Sequence, residues 1–112
     1  MINYEGRRFS PVVVGGSGEV SAATIFEYHQ SGRIVWAQYS GGSIKMGTLL
    51  ANVSEDGSLD MVYQQINDQG ELRTGKCIST PSILEDGRIR LQERWQWTNG
   101  DLSRGDSTVD EL

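Results

Sequence analysis

From Ser31 to Gly100 the chain is cut at short intervals by turn signals: Ser31-Gly32, Ser40-Gly41-Gly42, Glu55-Asp56-Gly57, Asp68-Gln69-Gly70, Glu85-Asp86-Gly87 and Asn99-Gly100. The runs they set apart, AATIFEYHQ, RIVWAQYS, SIKMGTLLANV, SLDMVYQQI, ELRTGKCIST and RIRLQERWQW, are extended in character and of about strand length. Glycine occurs 14 times against two prolines, mostly singly between these runs, which is the punctuation of β structure. Ser21 could cap a helix over SAATIFEYHQ, but the Ser-Gly turn and the matching strand behind it favour a hairpin. With RRFSPVVV ahead and DLSRGDSTVDEL behind, the count reaches about eight strands, at which an antiparallel sheet closes on itself. Short links make sequence neighbours pair in space, and closure removes the exposed edges of an open sheet. The expectation is an all-β chain, one domain over residues 1–112, folded as a single small antiparallel up-and-down barrel. Gly47 and Gly75, inside strand-like runs, are candidates for the bends or bulges that closure requires.

The clearest alternation is RIRLQERWQW. Ile89, Leu91, Trp95 and Trp97 share one face, and Arg88, Arg90, Gln92, Arg94 and Gln96 share the other. Glu93 breaks the pattern by falling on the apolar face, where an ionised carboxylate is costly unless compensated. If Asn99-Gly100 forms a two-residue turn, Trp97 faces Leu102, Trp95 faces Arg104 and Glu93 faces Asp106, with Arg104 diagonal to Glu93 as its counter-charge. A turn at Ser31-Gly32 sets Tyr28 opposite Val35, Phe26 opposite Ala37 and Thr24 opposite Tyr39. Counting across the Asn67 to Gly70 loop sets Met61 and Tyr63 beside Leu72 and Thr74 and makes Lys76 a second candidate counter-charge. The candidate ligand site is therefore Glu93 as polar anchor, walls of Trp95, Trp97, Tyr28 and Tyr63, and Arg104 within reach. The plain alternative is that Glu93 is a structural ion-pair partner, or sits at a barrel mouth where water still reaches it.

Catalytic and metal chemistry find little support. His29 and Cys77 are the one histidine and one cysteine, and alternation sets them on outer faces of different strands. They cannot make a closed zinc site, and the acidic turns lack the spacing of a calcium loop, so no metal, cofactor or catalytic residue is expected. A net charge of -5 argues against nucleic acid as a partner. No apolar run approaches the ~20 residues of a membrane-spanning helix. MINYEGRRFS lacks the apolar core of a secretory signal, which with the unpaired Cys77 suggests a cytoplasmic location. Arg104-Gly105-Asp106 is read as a chance tripeptide in a strand-forming tail.

GEVSAATIFEYHQSGRIVWAQYSGG, NDQGELRTGKC and RLQERWQWTNGD together resemble a group of small bacterial proteins that carry the label N-acetylglutamate synthase. The resemblance covers nearly the whole chain and implies a compact barrel of the avidin and lipocalin sort. Its label implies acetyl transfer to glutamate. No [RQ]-x-x-G-x-[GA] loop opening a helix, the usual holder of acetyl-CoA, can be placed in the chain, and neither can the early Gly-x-Trp of many lipocalins. Three functional expectations follow. The first is a non-enzymatic barrel binding a small, partly apolar molecule. The second is a homodimeric interaction protein that uses an outer face including Ile25, Ile34 and Trp36, and the third is the acetyltransferase of the label.

Overall fold

A computed structural model describes residues 2–15 and 18–112. It contains eight strands, β1 (Arg8–Val14), β2 (Ile25–Ser31), β3 (Ile34–Gly41), β4 (Ile44–Val53), β5 (Leu59–Asn67), β6 (Leu72–Ile83), β7 (Ile89–Trp97) and β8 (Arg104–Glu111). Each pairs antiparallel with its neighbours in sequence, and β8 returns to β1, so the sheet is a closed up-and-down barrel. Strand burial alternates as a half-buried sheet requires: along β3, Val35, Ala37 and Tyr39 are buried while Ile34, Trp36 and Gln38 are exposed.

The two halves of the interior are filled differently. At one end, beside the hairpin links after β2, β4 and β6, the N-terminal segment lies across the barrel and Tyr4 is fully buried, its hydroxyl donating to the Gly57 carbonyl at 2.6 Å. Phe9, Tyr28, Val35, Leu59, Ile89 and Leu91 fill the same half, with the Phe9 and Tyr28 rings 4.9 Å apart. Each such side chain contributes roughly 1.5–3 kcal/mol by leaving water. The opposite end carries the β1–β2 loop and the links after β3, β5 and β7, and its interior is not filled.

Strand registers depart from the expected ones in an instructive way. The β2–β3 turn is Gly32-Arg33, because glycine takes the left-handed first position of the turn (φ 60°). Phe26 therefore pairs with Tyr39 and Tyr28 with Ala37, two positions from the expected partners, and a shift of two keeps every side chain on its face. Across β5–β6 the error is odd. Gly70, at φ 77°, adds a residue to the link, so Met61 pairs with Cys77 and Tyr63 with Gly75. Cys77 consequently points inward, while Lys76 and Leu72 are exposed.

The β7–β8 link is also longer than a two-residue turn. The Asn99 side chain spans to β6, donating to the Leu72 carbonyl at 2.9 Å and accepting from the Thr74 amide at 3.0 Å. Leu102 takes up the extra residue in a left-handed conformation (φ 58°), and the chain re-pairs at Trp97 N–H to Ser103 O, 2.9 Å. Trp95 thus faces Gly105, Glu93 faces Ser107, and Arg104 lies opposite Gln96 on the outer face.

Gly47 and Gly75 are not the bulges. The registers shift where β4 gains a residue at Lys45 and where β1 gains one at Val12. Gly47 lies directly across from Tyr39, Gly75 from Tyr63 and Gly105 from Trp95, and in each pair the aromatic ring occupies the space where a Cβ would stand. Three inward aromatic rings are therefore laid flat over glycine on the adjacent strand.

Candidate functional site

The unfilled half encloses a cavity of about 60 Å3, lined among others by Phe26, Tyr39, Leu49, Met61, Tyr63, Cys77, Glu93, Trp95, Trp97 and Ser107. Each comes from the inward face of its strand, so the wall follows directly from alternation. Tyr63 meets Trp97 edge-on at 5.6 Å, and Trp97 lies 5.8 Å from Trp95. Space of this size holds roughly four waters or a molecule of a few heavy atoms.

Glu93 stands in this wall, flanked by Ser79 on β6 and Ser107 on β8. The Ser79 hydroxyl donates to Glu93 Oε2 at 2.7 Å, while Oε1 receives no hydrogen bond from the described residues. Ser107 Oγ accepts from the Trp95 indole N–H at 2.9 Å, which fixes that ring and leaves the hydroxyl proton for another acceptor. Cys77 Sγ lies 3.7 Å from Ser79 Oγ; because that hydroxyl is spent on Glu93, the thiol is the donor of the pair. Burial pushes the Glu93 carboxyl up to about 7, and only the Ser79 bond opposes it. What surface Glu93 keeps faces the cavity rather than bulk solvent, which reconciles its partial accessibility with so strong a desolvation. Burial also raises Cys77, Tyr28, Tyr39 and Tyr63, with the Glu93 charge adding to each, so all four are neutral at pH 7.

At the mouth the β1–β2 loop contributes Gly18, Glu19 and Val20. Glu19 accepts from Gln65 Nε2 and from Asn67 Nδ2, both at 2.8 Å, and lies 3.7 Å from the Arg73 guanidinium. Gln65 in turn accepts from the Tyr39 hydroxyl at 2.9 Å. Arg73 covers the Trp97 ring at 4.1 Å, so one hydrogen-bonded rim joins the loop to β3, β5 and β6.

Of the residues expected at the site, the structure brings Glu93, Trp95, Trp97 and Tyr63 together. Tyr28 points inward but belongs to the packed half, against Tyr4 and Phe9, and does not line the cavity. Arg104 is not the partner of Glu93: the added loop residue turns it outward, into a surface groove shared with Lys76, Arg94, Asp60 and Asp106. Lys76, the second expected counter-charge, is exposed for the same parity reason. His29 lies on the outer face, its Nδ1 3.0 Å from Glu5 Oε2. Sequence reasoning missed Ser79 and Ser107, which alternation within β6 and β8 would have supplied once the registers were known. It also missed Glu19 and Arg73, which meet through a loop and a barrel wall with no local signal.

A family model described as avidin-like protein matches residues 2–112 of the chain, in keeping with its closed eight-strand meander. The chain belongs to the avidin-like family. A search of curated proteins gave no match. An avidin-like barrel is thus the frame on which the Glu93 cavity is built, and the family by itself names no ligand for it.

Proposed function

We propose that this avidin-like chain binds a small, partly apolar molecule in the open half of its barrel. Trp95, Trp97 and Tyr63 form the enclosing wall, and Glu93 is the polar anchor. One observation carries the reading: Glu93 lines an aromatic cavity, and its Oε1 receives no hydrogen bond from the described residues. That oxygen is open to the cavity space, and a ligand donor would give it a charge-assisted bond. The volume of about 60 Å3 argues for a ligand well below drug size. Native mass spectrometry of protein purified from its source cells tests this. A retained small-molecule adduct that is lost in Glu93→Gln is the expected result, and a bare mass for the wild-type chain would count against it.

A second reading has its own observation. Trp36, Leu50 and Val62 pair in one row across the outer faces of β3, β4 and β5, all exposed, with Ile34 and Ile78 also exposed on β3 and β6. An apolar stripe on a sheet face suits pairing with a second copy of the chain. This stripe includes the expected Ile34 and Trp36, whereas Ile25 lies on β2 toward the opposite end.

A further inference from the structure

The open half of the barrel holds a carboxylate with no matched cation among the described residues. Glu93 is bonded by the neutral Ser79. Arg73, at the mouth, is engaged by Glu19, by Asp101 at 3.8 Å and by the Trp97 ring, while Lys76, Arg94 and Arg104 border the outer groove. Phe26, Tyr39, Tyr63, Trp95 and Trp97 share the cavity wall with it. Aromatic faces carry negative charge density and attract cations, most strongly where water is excluded, and a nearby carboxylate adds to that attraction. A neutral ligand would leave the anion uncompensated. A metal ion would need several oxygen donors converging, whereas the second carboxylate of this wall, Glu19, is held at the rim by Gln65, Asn67 and Arg73, and among the described residues no three His, Cys, Asp or Glu side chains come together to hold a metal.

We propose that the cavity binds a small alkylammonium ion, its N–H groups on Glu93 Oε1 and its alkyl carbons against Trp95, Trp97 and Tyr63. The proposal rests on the ligand-binding reading above and names its chemical class. The space admits a cation of about the size of isopropylammonium, and Leu49 and Met61 complete an apolar wall for its methyl groups.

Binding then depends on pH. Only the ionised carboxylate pairs with the cation, so ligand and proton compete for Glu93, whose carboxyl is pushed up to about 7 by burial. The other titratable groups facing it are Cys77 on β6, Tyr28 on β2, Tyr39 on β3 and Tyr63 on β5, all raised by burial and neutral over the range concerned. β7 and β8 add Trp95, Trp97 and Ser107, which do not titrate, and the charges at the rim, Glu19 and Arg73, lie against each other. Affinity therefore rises through neutrality and levels off above it.

The test follows the Trp95 indole N–H by 1H–15N NMR while isopropylammonium chloride, isopropanol or acetone is titrated in at fixed ionic strength. The expected result is a shift saturating with isopropylammonium at concentrations at least tenfold lower than with either neutral probe. Its affinity should fall about tenfold from pH 8 to pH 6, following the ionised fraction of a group titrating near 7. Glu93→Gln should abolish both the preference and the pH dependence. Ser79→Ala removes the bond that favours the ionised carboxyl, so it should keep the preference and move the pH midpoint upward. Isopropanol or acetone binding as tightly as the ammonium would overturn the cation and leave the ligand-binding reading standing. Silence of the indole signal toward all three probes removes the cation proposal, and a bare mass by native mass spectrometry would remove the broader reading as well.

Discussion

At the residue scale the molecule turns on Glu93, a carboxyl that the fold holds at a cost. Its folded-state pKa, about 7, lies above the ordinary carboxyl value, so between roughly pH 4.5 and 7 the folded state binds more protons than the unfolded chain. Stability contributed by this group is full below the unfolded value and is lost as pH rises through 7; above that the ionised, buried carboxylate costs on the order of 3 kcal/mol. Glu93→Gln keeps an acceptor for Ser79 and removes the charge. It should therefore melt at a higher temperature than wild type at pH 8, with the advantage fading as pH falls through 7 and nearly gone by about pH 5. Thermal denaturation at the two pH values checks this, and equal melting curves at pH 8 would mean that the carboxylate is solvated. Asp110 works in the opposite sense: the Arg90 guanidinium, bonded at 2.8 and 2.9 Å, holds it below the usual carboxylate range. Asp110→Asn should therefore lose stability at neutral pH, with the difference from wild type shrinking in acid as the wild-type carboxyl is protonated. Urea titrations at pH 7 and pH 3 would show it.

At the scale of the elements, the pairing of inward aromatic rings with glycine on the next strand does the shaping. Tyr39 lies over Gly47, and a methyl group there has no room. Gly47→Ala should cost roughly 1–3 kcal/mol by overpacking. The double variant with Tyr39→Ala should be more stable than the sum of the single losses predicts, since the clash disappears with the ring. Denaturant midpoints of the four proteins give the coupling directly, and additive losses would show that the ring and the glycine are independent. The same strands show where sequence reasoning holds. Alternation within β7 placed Ile89, Leu91, Glu93, Trp95 and Trp97 on one face correctly, because successive side chains of a strand must point to opposite sides. Pairing between strands was less legible. The added residues at Gly70 and Leu102 each changed the parity of a hairpin, exchanging Lys76 for Cys77 and Arg104 for Gly105 on the inner face.

For the whole molecule, the barrel closes only when β1 meets β8, two strands from opposite ends of the chain. Such non-local pairing makes folding slow, of the order of milliseconds to seconds. Closure also leaves the outer row of Trp36, Leu50 and Val62 without a covering element. If that row joins two copies, sedimentation velocity should show a dimer for the wild-type chain at micromolar concentration and a monomer for Trp36→Glu. A wild-type monomer throughout the concentration series would discard the stripe as an interface between copies.

The β architecture, the number of strands, their order around the barrel and the inward placing of Glu93 between Leu91 and Trp95 were all determined by the sequence, because turn residues and period-two alternation act over a few residues and need no distant partner. The hollow half of the barrel, the serines that flank the carboxylate, the outward turn of Arg104 and the meeting of Glu19 with Arg73 were decided by tertiary structure alone. Each depends on how many residues a link absorbs and on which walls closure brings face to face, and a single added residue in a turn sends the side chains of the next strand to the other side of the sheet.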